Sequence, residues 1–411
     1  MITALEIANY KTFGDSFRLE LGPFNVLVGP NACGKTNLVD ALRFLQESVA
    51  GGLSVAAARR GGWSAIRCRR KRRKEVRFTL EGSLNQEGEI RVHSRQEGKA
   101  SLQRFRSVRY VYRLRFRYTG KGYQVVLEEA TLWGRSADEE TLEQEQVLSR
   151  FRRTAEQVFL EESVAERRQT LPIPEENQAH LFVGNRFGSL ASLMLGEEIA
   201  RWRFYDPQPL AAQTPVRPQE KTTLSETGET LALVLQRLEK APMEGDGLRE
   251  RVITLMQTLV PGFEGWRTEL LPDGTVTFKV REKGLRGSLP ASLVSYGTLR
   301  LLILLIALLH EDERASEIII EEPERGLHPA ALEPLVALMR ETGRRTPIII
   351  TTHSADFVRY CRPEEVWLMD KVDGLSRVVR ASEIAQIETF LERFTLDELW
   401  LQGYLEHGTP V

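Results

Sequence analysis

This 411-residue chain has only three cysteines, Cys33, Cys68 and Cys361, and their spacing forms neither a disulfide framework nor a zinc motif. A reducing, cytoplasmic setting is therefore expected. Long hydrophobic runs are missing too. The longest, Leu301 to Leu309, follows Arg300 and is too short to cross a bilayer, so a buried helix is predicted there. The opening Met1-Ile2-Thr3-Ala4-Leu5-Glu6 lacks the charge and apolar stretch of a signal peptide. Net charge is nearly absent: 56 Lys and Arg against 57 Asp and Glu leave −1, so any affinity for nucleic acid must come from local patches. The remaining composition, 42% hydrophobic and 27% charged, is that of a soluble globular protein with room for two or three domain-sized units.

Against these absences, Gly29-Pro30-Asn31-Ala32-Cys33-Gly34-Lys35-Thr36 satisfies the phosphate-loop pattern G-x-x-x-x-G-K-[ST] at every fixed position. The apolar run Phe24 to Val28 leads in as a strand, and Asn37 to Leu42 leads out with helical spacing. In that context the glycines let successive N–H groups, from Asn31, Ala32, Cys33 and Gly34 onward, turn toward a phosphate. The helix start adds its positive end. Lys35 is placed to reach the β/γ-phosphates and the Thr36 hydroxyl to hold Mg²⁺. ATP with Mg²⁺ is the predicted ligand.

Three later stretches have the residue types that such a site needs. Ile318-Ile319-Ile320, a buried-strand signature, ends in Glu321-Glu322-Pro323-Glu324. The first carboxylate, Glu321, suits metal coordination, and the second, Glu322, suits orienting or deprotonating a water. Pro347 to Thr352 is a further strand, followed by His353 where ligands bind in open α/β sheets. Ser295-Tyr296-Gly297-Thr298 opens the Leu301–Leu309 helix, and Ser295 with Gly297 makes a second anion-ready helix N-terminus.

That order of motifs resembles the ABC-type ATPase heads of the RecF, structural-maintenance-of-chromosomes (SMC) and OLD-like group, especially its standalone bacterial members. The matching stretches are Gly29–Thr36 with Asn37 (Walker A), Ser295–Thr298 (signature), Ile318–Glu322 (Walker B), Glu324–Pro329 (D-loop) and His353 (switch histidine). Leu5 to Phe13 resembles their first strand, and Leu396 to Gly403 the tail of the standalone members. The resemblance implies an α/β P-loop NTPase, an ABC-type head with two lobes: a mainly parallel core sheet flanked by helices, plus an antiparallel side sheet. It implies that Lys35 and Thr36 bind phosphate and Mg²⁺, that Glu322 polarises water and that His353 contacts the γ-phosphate. Ser295 and Gly297 would then reach the nucleotide of a second subunit, making an ATP-dependent homodimer that acts in DNA repair or phage defence. No room remains for the Toprim nuclease of OLD proteins, so a nuclease or other effector would be a separate chain.

Glu321 stands where many relatives have Asp, Tyr296 interrupts the signature, and no Q-loop glutamine stands out. These departures motivate a second reading, a low-turnover nucleotide-binding scaffold for a partner protein. A transporter subunit is disfavoured by the signature and by the Arg-rich first lobe.

The expected organisation is lobe I over 1–135, a helical insert with a Pro-rich return loop over 136–225, and lobe II over 226–411. Ala137 to Gln169, rich in Glu, Gln and Arg, is predicted to be helical. Tyr110 to Tyr118 alternates, with Tyr110, Tyr112, Leu114, Phe116 and Tyr118 on one face and Arg109, Arg113, Arg115 and Arg117 on the other. The run Arg67–Lys74 and that Arg face are the candidate contacts for DNA or RNA phosphates; the competing reading is a solvated surface whose Arg residues pair with neighbouring Glu.

Overall fold

The strands Phe24–Val28, Ile318–Glu321 and Ile348–Thr352 lie side by side and parallel at the centre of the protein. Their near-continuous apolar content follows from burial on both faces. Val26, Val28, Ile320, Ile348 and Ile350 point into one hydrophobic core, and Leu27, Ile319 and Ile349 into another. Arg203–Tyr205 extends the sheet beside Ile318–Glu321, and Val366–Val372 extends it beside Phe24–Val28, both parallel. Leu375–Arg380 closes one edge antiparallel, so the six-stranded sheet is mainly parallel, as expected. The computed structural model describes residues 1–70, 74–84, 90–96, 99–136, 145–163, 167–173, 179–219, 223–240, 247–309 and 315–405.

The second core lies against a nine-stranded antiparallel sheet, in which Lys99–Tyr118 pairs with Glu75–Leu84 on one side and Tyr123–Ser136 on the other. Tyr110, Tyr112, Leu114 and Phe116 are buried in it, and Tyr118 at the hairpin end is exposed. The helix Lys35–Ala58 adds Leu38, Val39, Leu42, Phe44 and Leu45 to the same core. It breaks at Gly52 (φ 82°), where Leu53 N donates to Ala179 O (2.8 Å).

The helical expectation for 137–169 is overturned. Residues 137–144 and 164–166 lie outside the described residues, but Gln146–Arg153, Gln157–Glu162 and Arg167–Pro172 are strands that continue the antiparallel sheet to its edge. Composition favoured helix, yet Val158, Leu160 and Glu162 alternate inward at period two. The open edge of Tyr123–Ser136 offers a ladder of backbone bonds that outweighs a weak local preference. The inward face also buries an ion pair, Arg153–Glu128 (3.5 Å), both fully enclosed. Tyr112 Oη (3.1 Å) and Phe182 N (2.8 Å) donate to the same carboxylate.

Phe263–Leu270 and Val276–Glu282 form a hairpin around Pro272-Asp273-Gly274, and Tyr296–Leu309 is a helix, buried as predicted over Leu301–Leu309. No helix among the described residues is long and apolar enough to cross a membrane.

Candidate functional site

The loop Gly29–Thr36 leaves the carboxyl end of Phe24–Val28 and turns directly into its helix. Gly29 passes so near Met369 O that a Cβ there would overlap it. Gly34 takes φ 121°, with Ser376 Oγ where a Cβ would sit. Ser376 Oγ donates to Cys33 O (2.6 Å) and pairs with Thr12 Oγ1 (2.7 Å), and Asn37 Nδ2 donates to Thr12 Oγ1 (2.9 Å). The loop is thus held by side chains from both ends of the chain. Asn31, Ala32 and Thr36 are exposed at its mouth, whereas Cys33 is buried beneath it. Lys35 Nζ donates to the carbonyls of Gly29 (2.6 Å) and Pro30 (3.1 Å), and burial lowers its pKa.

The carboxyl ends of three neighbouring strands converge at this point. Lys35 Nζ lies 3.3 Å from His353 Nδ1, and His353 Nε2 lies 3.6 Å from Glu322 Oε1. Burial and the Lys35 charge lower the His353 pKa, which favours a neutral ring. A neutral ring that accepts from the Lys35 ammonium at Nδ1 has its proton on Nε2, facing Glu322. Glu322 itself sits at φ 44°, a left-handed backbone unusual for a residue with a Cβ. Its N–H donates to Thr351 O (2.8 Å), which joins the acidic strand to the histidine strand.

Glu321, one residue earlier, faces a different group of charges. Burial and the neighbouring carboxylates, Asp206 first, push its pKa up to about 7. Arg43, from the loop helix, lies 4.0 Å away and also pairs with Glu226. The Glu321 carboxylate and the exposed Thr36 hydroxyl are each oxygen donors of the kind that suits a hard divalent cation. Among the described residues no cluster of three or more His, Cys, Asp or Glu side chains could hold a metal. Mg²⁺ takes one or two protein ligands and fills the rest of its shell with phosphate and water.

Ser295 and Gly297 stand apart from this convergence. Ser295 Oγ accepts from Thr298 N (3.1 Å) and pairs with Thr298 Oγ1 (2.7 Å), so it caps its own helix. Gly297 packs against the turn at Gly326 O. No hydrogen bond joins either residue to the phosphate loop among the described residues. Around them Leu293, Tyr296 and Leu210 are 68%, 55% and 64% exposed, on elements that touch one another.

Of the four strand Arg side chains that are candidates for nucleic-acid contact, three are paired with Glu. Arg109 pairs with Glu145, Arg113 with Glu129 and Arg115 with Glu75, while Arg117 bonds Gln124. In the run Arg67–Lys74, positions 71–73 lie outside the described residues. Arg67, Arg69, Arg70 and Lys74 are exposed, with Arg70 packed over Gly374.

Sequence reasoning passed over Arg43, Asp206, Ser376 and the role of Arg300, whose guanidinium bonds Glu322 O (2.8 Å). Only Arg300 carried a signal, as a charge opening an otherwise apolar helix. A profile of the AAA_21 family, described as "AAA domain, putative AbiEii toxin, Type IV TA system", matches residues 24–119 and 97–359. No curated protein matches the chain in sequence. The fold is similar to a solved SmcHead bound to the C-winged helix domain of ScpA, with TM-score 0.53 and 14% identity over 92% of this chain and 97% of that one. It is likewise similar to the Smc head with an extended coiled coil bound to the C-terminal domain of ScpA, derived from Pyrococcus furiosus, with TM-score 0.52 and 15% identity over 95% and 99%. These two likenesses show the fold. With the phosphate loop in its strand–helix setting and most of the chain matched by the profile, this protein belongs to the AAA_21 family of AAA-domain proteins, on a fold like that of Smc heads.

Proposed function

We propose that the protein hydrolyses Mg-ATP at a site completed by a second copy of the chain. The convergence of Lys35, His353 and Glu322 at the ends of adjacent strands carries this reading. The loop N–H groups of Asn31, Ala32, Cys33 and Gly34, with Lys35 and Asn37, hold the phosphates. Thr36 and Glu321 would hold Mg²⁺, which when bound offsets phosphate charge. Glu322 accepts the proton of the attacking water, and His353, neutral and donating through Nε2, holds that carboxylate and the γ-phosphate in line.

Ser295 and Gly297 belong to the partner's site in this reading. The exposed apolar surface of Leu210, Leu293 and Tyr296 beside their helix start supports a second copy seated there. The resulting homodimer would couple ATP to a separate effector or to nucleic acid. The Smc heads of similar fold were solved with ScpA domains bound, which supports a protein partner. Because Arg109, Arg113 and Arg115 are already paired with Glu, a DNA or RNA contact falls to Arg67–Lys74 and Arg117.

Steady-state hydrolysis tests the reading. Glu322→Gln should lower turnover by about 10²–10⁴-fold, the usual worth of a general base, and leave ATP binding intact. Lys35→Ala should remove both. Tight binding with no turnover in the wild type would favour the scaffold reading. Stimulation by duplex DNA that fades steeply with salt would assign the basic run to nucleic acid.

A further inference from the structure

Arg300 lies near the start of the signature helix and is only 3% exposed. Its Nη1 donates to Pro207 O (2.7 Å) and its Nη2 to Glu322 O (2.8 Å). Those carbonyls belong to separate segments: the loop following Arg203–Tyr205, and the turn following Ile318–Glu321. Every residue from Leu301 to Leu309 is a buried apolar side chain, so an apolar residue would suit this helix equally well. A buried guanidinium carries a desolvation cost that its bonds must offset. Burial lowers the Arg300 pKa, outweighing the attraction of Asp206, Glu324 and Glu322. Its Nε has no hydrogen-bond partner among the described residues, so that offset is incomplete.

Glu322 supplies a reason for the cation. Its φ of 44° is strained for a residue with a Cβ and persists only if its surroundings hold it. Glu322 N is bonded to Thr351 O, and Glu322 O accepts from Arg325 N (3.2 Å) and from Arg300. Arg300 is the side chain that fixes this peptide, and it reaches from the helix that Ser295 caps.

We propose that Arg300 is a positioning residue that holds the Glu322 backbone in its left-handed conformation and ties the aim of the Glu322 carboxylate to the placement of the signature helix. This rests on the reading of Glu322 as the group that activates water. When Ser295 and Gly297 engage the nucleotide of a second copy, a shift of their helix moves the Glu322 carbonyl through the same guanidinium. Hydrolysis at one site is thereby made conditional on the engagement of that subunit's own signature helix with the other site.

The test uses the full-length protein and the variants Arg300→Met, Arg300→Lys and Glu322→Gln, alone and combined. Read-outs are kcat and KM for Mg-ATP, the Kd of a non-hydrolysable ATP analogue, and the melting temperature. Arg300→Met should lower kcat at least about tenfold with the analogue Kd nearly unchanged, because an interaction that acts only on the chemical step leaves binding alone. Arg300→Lys, able to reach one carbonyl but not both, should fall between it and wild type, and it serves if the Met variant melts early. In the Glu322→Gln background, adding Arg300→Met should change the residual rate less than about twofold, since residues acting as a unit are not additive. The inference is overturned if Arg300→Lys and Arg300→Met keep wild-type kcat while Glu322→Gln loses it. A fully additive double variant, or loss of analogue affinity in step with kcat, overturns it as well. Full turnover in Glu322→Gln would remove the underlying reading of the site, and the inference with it.

Discussion

At Gly34 the backbone adopts φ 121° and Ser376 Oγ fills the space of a Cβ, so two independent constraints require glycine there. Gly34→Ala should displace the Ser376–Thr12–Cys33 bonds and abolish nucleotide binding, as read by titration with a fluorescent ATP analogue. A second residue-scale prediction concerns Glu317, whose fully buried carboxyl accepts from Ile2 N. Burial pushes its pKa up to about 8, with the Met1 ammonium pulling the other way. A carboxyl whose folded pKa is raised contributes stability that is present below its unfolded pKa near 4.5 and lost as pH rises through about 8. Glu317→Gln should therefore flatten the fall in melting temperature between those limits, while the parent keeps it. The phosphate loop, Glu321, Glu322 and His353 were legible in sequence because each sits at a fixed offset from a strand end. Thr12 with Ser376 was not, since these hydroxyls meet only after the two ends of the chain are brought together. Arg43 was equally hidden, as its partners Glu226 and Glu321 lie on distant segments.

The elements divide by how local their cause is. The β-branched runs Ile318–Glu321 and Ile348–Thr352 read as buried strands and are buried strands, because both sheet faces are covered whatever the loops do. The stretch 146–172 is governed by a neighbour instead: Arg150 opposite Thr131 and Phe151 opposite Ala130 set its register on the preceding strand. Its Glu- and Arg-rich composition speaks for a helix only while that edge is out of view. The edge also explains the enclosed Arg153–Glu128 pair, in which burial raises the Glu128 pKa and lowers that of Arg153. Arg153→Met would strand the Glu128 carboxylate in the interior. Urea unfolding should show a loss of about 3–5 kcal/mol, the usual cost of leaving half of a buried pair. Replacing both partners by apolar residues should recover much of it.

Across the whole molecule, the mainly parallel sheet carries the phosphate loop, both glutamates and His353, and the antiparallel sheet buries the loop helix from the other side. The two signature residues make no hydrogen bond to the phosphate loop among the described residues, and Leu210, Leu293 and Tyr296 near them are exposed. In the proposed reading, each copy's loop is completed by the other copy's signature. Leu293→Asp should leave ATP binding to the isolated chain unchanged and lower the rate of hydrolysis at a given protein concentration, with increasing concentration restoring part of it. The central claim, that ATP joins two copies across this surface, is tested most directly by measuring the solution mass of Glu322→Gln by light scattering with and without Mg-ATP. The account predicts a rise from the 46.8 kDa of the single chain to twice that value on adding Mg-ATP, absent in Lys35→Ala. A mass that stays the same with saturating Mg-ATP bound would contradict it.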